Sequence, residues 1–310
     1  MHLDNRGSEA EYAKVVDLIR AAGIPRIAHE IEGLIRPSIR MRTFSVSECE
    51  LEVGHSKIGG LPDLPPYLSW PTWQGMPLAF IAQINLAEVA EYDRAQELSR
   101  SGILYFFYDA EQRASGLDTS ECEGWRVLYF PHDISHVSPA APPTEVLPLG
   151  PYTPCGVTFS SELTLPTMES EHLTNLGLDW ETMYSRERGT PEIKREGENY
   201  LSLHEQVGKL YGESGLIHRL LGYPDPIQND VQLDCQFASH NLLSDRAAWS
   251  DEARGALREG ATDWCLLLQV DSDDAAGMMW GDVGRLYYMM PRRALAQRDF
   301  SQVWLIMQCC

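Results

Sequence analysis

The chain has 310 residues, of which 44% are hydrophobic, so it can bury the core of one large domain or of two medium ones. Its 45 acidic and 25 basic residues give a formal net charge of -20 at pH 7. This charge disfavours direct binding to nucleic acid or to an anionic membrane surface, because both need a positive footprint on the protein. It promotes encounter with basic partners, although a plain role in solubility is equally compatible with it.

Seven cysteines are scattered along the chain without a C-x-x-C pair, a pattern typical neither of a metal site nor of a compact disulfide framework. We therefore expect reduced thiols and a cytoplasmic protein. The polar N-terminus shows no signal peptide, and no apolar run approaches the length of a membrane span. No cofactor is expected, because the sequence has neither a G-x-G-x-x-G nor a P-loop.

Residues 1–37 are predicted to be a helical segment that precedes a single domain over residues 38–310. Ser8 and Glu11 form a capping-box pattern, which predicts that the first helix begins at Ser8 and stops near Gly23. Alternating polar and apolar residues then predict β structure from Ser38 to Val53.

The next part of the chain favours strands. Asn85 is expected to cap a helix that carries apolar residues as far as Leu98. Apolar and aromatic runs predict three strands, at Leu78–Ile84, Gly102–Asp109 and Trp125–Pro131.

A strand near Val157–Leu165 leads into a charged, mostly helical insertion over residues 169–212. Its centre, RERGTPEIKREGEN, is predicted to be a solvated turn between two helices. Ser244 is expected to cap a later helix that ends at Gly260. Apolar runs predict three more strands, at Trp264–Val270, Gly284–Met290 and Gln302–Cys309.

A Gly-x-Pro-Asp turn occurs twice, as Gly60–Asp63 and as Gly222–Asp225. Glycine admits a positive φ, proline fixes its own φ, and aspartate closes a turn on nearby N–H groups. Each copy is followed by a buried strand that ends in glutamine (Gln83 and Gln269), then by a glycine-led aromatic strand and a final strand. Four features in the same order indicate an internal duplication.

The predicted fold class is therefore α+β, with a mostly antiparallel β core built from two duplicated halves and with peripheral helices. The halves cover about residues 38–150 and 213–310. We expect one compact unit, because each half alone would leave exposed strand edges.

Several segments together resemble the YwqG-like family of bacterial proteins: SKIGGLPDLP, SWP, GMPLAFIAQINL, GILYFFYD, LLGYPDPIQNDV, LLLQVDSDD, MMWGDVGRLYYMM and RDFSQVWLIMQC. The resemblance runs from about Ser38 to the C-terminus. It implies a mainly β core with surrounding helices, a bacterial cytoplasmic setting and no established activity. Some relatives lie among genes for toxins and their immunity proteins, which suggests partner binding. The family offers no catalytic residues to carry over.

The candidate ligand-binding residues are polar or aromatic groups near the two turns: Lys57, Gln83, Gln228, Asp230, Gln269, Asp271, Trp280 and Asp282. Each has a structural alternative. A buried glutamine must be hydrogen-bonded, so Gln83 and Gln269 are expected to bind the backbone of the turns or each other. Otherwise they present amides to a polar ligand.

The segment Asp271–Asp282 has acids at the first, third and twelfth positions of a calcium-type loop. Ala275 and Ala276 stand where that loop needs an oxygen ligand and a glycine, so a tight acidic turn is favoured and no metal is expected. Trp280 in this segment is interpreted as a core plug, with a ligand-facing indole as the alternative.

No catalytic residue is assigned. His55 and His218 precede the two turns, but no nucleophile signature accompanies them. Cys235 is most simply a buried thiol.

Two functional hypotheses follow. The first is a non-enzymatic binding protein whose acidic surface engages a basic protein partner, as an immunity or antitoxin protein does. The second is an enzyme or small-molecule binder that uses a cleft between the two halves.

Overall fold

The computed structural model describes residues 5–132, 134–143, 151–185, 189–212, 215–243 and 250–310. Their helices, in chain order, are α1 (Asn5–Ala21), α2 (Ala28–Gly33), α3 (Leu86–Val89), α4 (Glu171–Thr174), α5 (Trp180–Tyr184), α6 (Pro191–Lys209), α7 (Val231–Ser239), α8 (Asp251–Glu259) and α9 (Arg292–Gln297).

The strands are β1 (Arg36–Ser45), β2 (Lys57–Ile58), β3 (Asp63–Leu64), β4 (Thr72–Trp73), β5 (Met76–Pro77), β6 (Ala79–Asn85), β7 (Ile103–Tyr108), β8 (Trp125–Phe130), β9 (Ser138–Pro139), β10 (Cys155–Thr164), β11 (His218–Leu220), β12 (Trp264–Asp271), β13 (Arg285–Pro291) and β14 (Trp304–Gln308). Ten of them form one sheet in the order β14-β13-β12-β11-β1-β10-β2-β6-β7-β8. Every neighbouring pair in it is antiparallel. The α+β class with a large antiparallel sheet is confirmed.

The long strands β1 and β10 lie at the middle of this sheet and pair along their whole length, from Arg36 opposite Thr164 to Ser45 opposite Cys155. Outward from β1 come β11, β12, β13 and β14, and outward from β10 come β2, β6, β7 and β8. The register of β12 with β13 shifts between Leu266 and Leu268, and that of β6 with β7 shifts between Phe80 and Ala82.

The continuous apolar runs form strands that are covered on both faces. In β13, Leu286, Tyr288 and Met290 belong to the main core inside the sheet, whereas Tyr287 and Met289 belong to a smaller cluster under α7. Side chains alternate across a strand, so a strand buried on both faces needs apolar residues at every position. The stretch LYYMM meets this requirement.

The sheet curls until its end strands come together. Trp125 of β8 and Trp304 of β14 meet edge to face with ring centroids 5.2 Å apart. The Tyr288 hydroxyl donates to Phe107 O at 3.2 Å from across the core. A Cβ at Gly116 would lie 1.7 Å from a backbone oxygen of β14, so the close approach of chain and strand there requires glycine.

A second core lies outside the sheet, where α1, α2 and α6 pack against the end of β10. Its fully buried members include Ile19, Ile31, Leu203 and Tyr200. Helices from residues 1–37 therefore share this core with α6 of the charged insertion.

Three local predictions are wrong. The first helix begins at Asn5, so Ser8 lies inside it and is not its cap. The helix after Asn85 stops at Val89, and in the non-helical chain that follows, the Asp93 carboxylate accepts from Glu97 N and Leu98 N. Nine of the fourteen residues expected in the solvated turn lie in α6, which begins at Pro191 and is capped by Thr190.

The helix predicted before Gly260 is α8, which Ser250 caps and Gly260 follows. Ser244, its predicted cap, lies outside the described residues. Among the helices of the described ranges, none combines the length and apolar character needed to cross a membrane.

Candidate functional site

The first Gly-x-Pro-Asp turn is tied to strand β6 by the side chain of Gln83. Gln83 Oε1 accepts from Asp63 N at 2.8 Å, and Nε2 donates to His55 O and to Asp63 Oδ2, both at 2.7 Å. Gln83 is fully buried, so its amide satisfies backbone groups that no strand pairs. Gly60 has φ +70, and a Cβ there would lie 2.3 Å from Glu48 Oε2, so this position needs glycine.

The second turn repeats this arrangement with Gln269 of β12. Gln269 Oε1 accepts from Asp225 N at 2.9 Å, and Nε2 donates to Ile217 O at 2.8 Å. The Tyr287 hydroxyl donates to Asp225 O at 2.9 Å, as Tyr105 does at the corresponding oxygen of the first turn. Both glutamine amides are thus engaged by the turns next to them.

Lys57 belongs to the first turn and is 2% exposed. Its Nζ lies 3.2 Å from Glu48 Oε1 and 3.2 Å from Asp63 Oδ2. The same Asp63 Oδ2 accepts from Gln83 and from Gly54 N, while its buried Oδ1 has no partner in the described part of the chain. Lys57 therefore balances carboxylates inside the protein.

In the second turn an arginine takes this place. Arg285 Nη1 donates to Asp225 Oδ2 at 2.6 Å, and its Nε lies 3.1 Å from Asp271 Oδ1. Asp271 also accepts from Ile217 N at 2.9 Å and from Ser272 N at 3.1 Å. Asp271 is 4% exposed, so its charge is satisfied by the protein rather than by solvent.

His218 and Asp273 form a buried pair beside this turn, and each is 1% exposed. His218 Nδ1 accepts from Asp271 N at 3.1 Å, so Nε2 carries the proton that faces Asp273 Oδ2 at 3.3 Å. This hydrogen bond, with one from Thr43 at 2.8 Å, lowers the pKa of Asp273 to about 2. Both ring nitrogens of His218 are engaged, which leaves it no lone pair for a general base.

The segment Asp271–Asp282 is a tight turn. Asp273 and Met278 exchange both backbone hydrogen bonds, at 2.8 and 2.9 Å, and Gly277 supplies φ +67. Nowhere in the described residues do three or more His, Cys, Asp or Glu side chains gather in a way that would hold a metal ion.

Trp280 is fully buried, and its Nε1 donates to Asp271 O at 3.2 Å. Its indole meets Tyr108 and Tyr152 edge to face, at 6.0 and 5.7 Å. Asp282, two residues on, is exposed at the surface.

Gln228 is exposed, and its Nε2 donates to Cys309 O at 2.6 Å. Beside it lies Gln308, another buried strand glutamine, which sequence reasoning missed. Gln308 Oε1 accepts from Ile227 N at 3.0 Å and from Gln228 N at 3.1 Å, and its Nε2 donates to Asn229 O at 2.9 Å. The sequence did contain a signal that could have identified Gln308, because it is a polar residue near the end of a buried strand, as Gln83 is.

Asp230 caps α7, because Oδ1 accepts from Gln232 N at 2.8 Å, and its Oδ2 accepts from Glu171 N at 2.8 Å. Burial raises the pKa of Asp230 to about 7 in spite of these hydrogen bonds. Glu171 itself is held by Arg258 through two hydrogen bonds of 2.5 and 2.6 Å. Asp230 therefore joins α7 to the start of α4.

The candidate residues thus fall into separate groups. Lys57 and Gln83 surround the first turn, whereas Gln269 and Asp271 surround the second, with Trp280 packed behind Asp271. The loop after Gly150 connects the groups, because Gly60 N donates to Tyr152 O and Thr153 N donates to Ala276 O, both at 2.9 Å.

Cys235 is fully buried on α7, and burial raises the pKa of its thiol. A raised pKa keeps the thiol protonated at neutral pH, which makes it a poor nucleophile.

A cleft with a volume of about 310 Å³ lies where the end of α6 passes over the middle of the sheet. We call it the central cleft. Its floor carries Arg40, Glu162 and Arg219, which are 6%, 1% and 8% exposed. Arg40 stands opposite Arg219 in the sheet, and Glu162 stands opposite Ser38 on β10. The register of β1, β10 and β11 therefore brings these charges to one face.

Glu162 holds the floor together. Its Oε2 accepts from Arg40 Nε at 2.9 Å, and its Oε1 accepts from Ser38 Oγ at 3.2 Å. Arg219 Nε lies 3.1 Å from Glu162 Oε1, but its N–H is misaligned for a hydrogen bond, so we treat this contact as an ion pair only. None of the eight candidate residues lines this cleft. The alternation of polar and apolar residues along a single strand did not indicate the central cleft, because its three charged residues meet only through strand pairing.

The fold and the buried hydrogen bonds together define the class of protein. It is an α+β protein built on one curled antiparallel sheet, with two hydrogen-bonded Gly-x-Pro-Asp turns. Residues 56–309 match the model of a protein family described as a domain of unknown function, DUF1963. The chain belongs to that family. No curated protein matches the chain.

Proposed function

We propose that this chain is a non-enzymatic cytoplasmic binding protein whose acidic surface engages and neutralises a basic protein partner. Within its family we assign it to the bacterial YwqG-like members, in the manner of an immunity or antitoxin protein. The observation that carries the proposal is the formal net charge of -20, which accelerates encounter with a positively charged partner.

What we call the acidic edge comprises five carboxylates: Glu48, Glu50 and Glu52, which precede the first turn in the chain, and Glu88 and Glu91, on and just after α3, where Glu88 contacts His55 of the same loop. Glu50, Glu52 and Glu91 are exposed, and the other two are half-buried. The nearby cations are already engaged, since His55 contacts Glu52 at 3.1 Å and Glu88 at 2.7 Å, and Lys57 contacts Glu48. The acidic edge therefore keeps an excess of negative charge for a partner.

The interior supports binding over catalysis. The groups best suited to acid–base chemistry, His218 and Asp273, use their polar atoms on each other and on neighbouring groups. Lys57 likewise forms ion pairs with Glu48 and Asp63.

We also propose that the fold arose by internal duplication, with halves at about residues 38–150 and 213–310. The support is the matching geometry of the two turns. In each, a glutamine that directly follows a register shift accepts from the turn aspartate N–H, and a tyrosine donates to the backbone oxygen of the same aspartate.

The test is affinity capture of the tagged protein from its native lysate, with washes of increasing salt and mass spectrometry of the bound proteins. We expect one stoichiometric basic protein that is released as salt rises, because salt screens surface charge. The triple variant E50Q/E52Q/E91Q should lose this partner.

A matched control, E123Q/E198Q/E259Q, removes three exposed carboxylates elsewhere and should retain the partner. An empty capture at every salt concentration would overturn the proposal. Equal loss in both triple variants would show that only total charge matters and not the acidic edge.

The second candidate is a small-molecule binder that uses the middle of the sheet, where the two proposed halves meet. The observation in its favour is the central cleft with its buried charged floor, because convergent charged groups in a concave site are typical of ligand sites. Thermal-shift screening with metabolites separates it from the first candidate.

A further inference from the structure

The central cleft contains a cation that the protein does not fully use. Arg219 Nη1 donates to Tyr223 O at 3.1 Å, and its Nε contacts Glu162 without hydrogen-bond alignment. Its Nε is buried without a hydrogen-bond partner among the described residues, and no described residue accepts from its Nη2. A guanidinium that is 8% exposed and incompletely bonded is costly unless another acceptor completes it.

We propose that the central cleft binds a small molecule through one oxyanion group, a carboxylate or a phosphate, which Arg219 holds. Planar guanidinium groups match both groups geometrically, which is why arginine is common in such sites. This inference rests on the second candidate function, whose ligand class it specifies, and it is independent of the basic partner.

The charges at the cleft favour one anion. The deep floor has two guanidinium groups, from Arg40 and Arg219, against the single carboxylate of Glu162. The charges at the rim cancel locally. Lys209 contacts Glu205 at 2.5 Å, and Asp225 is neutralised by Arg285 at 2.6 Å. Burial lowers the pKa of His204, which makes this lining residue neutral at pH 7.

Asp271 is the remaining acid of this network, because Arg285 contacts it as well as Asp225. It does not line the cleft, and two backbone N–H groups stabilise its charge. Among the described residues, the excess formal positive charge thus lies at the floor of the cleft, where the side chains are buried and a charge-assisted hydrogen bond is strongest.

Neutral polar groups near the floor suit the rest of a ligand. The Thr167 hydroxyl lines the cleft and makes no hydrogen bond within the described ranges. Apolar contact is offered by Leu165, Val207 and Pro224. The volume of about 310 Å³ is at the lower end for ligand pockets, so the ligand is a small metabolite.

The cleft stays open because two of its lining residues are glycines, which have no side chain to fill it. An added Cβ at Gly208, near the end of α6, or at Gly212 would meet no atom within 4 Å. Gly208 has an ordinary helical backbone, so a larger side chain there fills the mouth of the cleft without strain.

The test uses inorganic phosphate and succinate as separate probes, each titrated at constant ionic strength with sodium chloride as the balance. Binding is followed by the thermal shift and by isothermal titration calorimetry. We expect a saturable shift with at least one probe, and the arm that saturates identifies a phosphate or a carboxylate ligand. In R219Q, the affinity should fall about tenfold or more, because a charge-assisted bond is lost.

A second variant, G208F, tests the inference even if R219Q fails to fold. Its phenylalanine blocks the mouth of the cleft and leaves every charge in place. It should abolish the saturable shift. Its control is G255F, at another helical glycine with no atom within 4 Å of an added Cβ and no part in the cleft. G255F should bind as the unmodified protein does.

The inference is overturned if neither probe gives a saturable shift. It is also overturned if G208F and G255F respond alike, since the effect then belongs to general salt binding.

Discussion

Asp230 is a carboxyl group that the fold buries at some cost. Its pKa rises to about 7 because burial penalises the charged form, with the neighbouring Glu171 carboxylate as a smaller cause. The folded protein therefore retains this proton to higher pH than the unfolded chain does. The stability that depends on it falls as the pH rises from about 4 to about 7.

We expect the stability of D230N, relative to that of the unmodified protein, to be higher at pH 8 than at pH 5. Asparagine keeps the cap on α7 through its one oxygen and removes the buried charge, while it loses the acceptor for Glu171 N at both pH values. Relative to the unmodified protein, the free energy of unfolding should gain on the order of 1–2 kcal/mol between the two pH values. Urea unfolding at pH 5 and pH 8 measures it. D118N, at a partly exposed aspartate cap whose pKa is lowered, should show no such gain.

The pKa shift of Asp273 has the opposite sign to that of Asp230. Its pKa is lowered to about 2, first by the hydrogen bond from His218, so its contribution to stability is complete above the ordinary pKa and disappears as the pH falls towards 2. D273N should lower the free energy of unfolding at pH 7 by about 1–3 kcal/mol.

The deficit of D273N should shrink when unfolding is measured at pH 3. D274N changes the neighbouring exposed aspartate and serves as the control, with little expected effect. A deficit that is the same at both pH values would mean that the carboxylate charge is not what stabilises the turn.

At the scale of elements, the two glutamines join a strand to an irregular turn. Q83L and Q269L each leave a buried backbone N–H without an acceptor, since both amides accept from a turn aspartate. Each should cost about 2–3 kcal/mol in chemical unfolding. Q228L, at an exposed glutamine, should cost less than about 1 kcal/mol. Similar small losses at all three positions would contradict a structural role for the amides.

The turn glycines allow a second test at this scale. Gly222 has φ +72, and an added Cβ would lie 2.6 Å from Ser38 Cβ. G222A should therefore cost about 2–4 kcal/mol, from the left-handed backbone and from the clash together. Gly75 has φ +79 but open space around it, so G75A isolates the backbone cost at about 1–2 kcal/mol. Equal losses in the two variants would exclude the clash.

At the scale of the whole molecule, the sheet ends depend on each other. Trp125 Nε1 donates to Val303 O at 2.9 Å, and Trp304 Nε1 donates to Gly116 O at 2.7 Å, so each end strand is anchored by the opposite arm of the chain. We expect one cooperative unfolding transition, with tryptophan fluorescence and far-ultraviolet circular dichroism giving the same midpoint. Two separated midpoints would show that the helical layer and the sheet unfold independently.

Several features followed from the sequence alone. The apolar runs of β6, β7, β12 and β13 determined strands, because covered strands need apolar residues at every position. The two Gly-x-Pro-Asp turns were equally legible, and Gly60 and Gly222 both have the positive φ that the motif requires. Local chemistry decides such features, so a local pattern was sufficient to predict them.

Only the tertiary structure decided where the side chains meet. Gln83 and Gln269 are alike in sequence position, yet their bonding to the turns depends on how each strand pairs. Arg40, Glu162 and Arg219 come from three strands distant in the chain, and only their register places them on one face of the sheet. Strand pairing across long sequence separations has no local signature, which is why the central cleft became visible only in the folded protein.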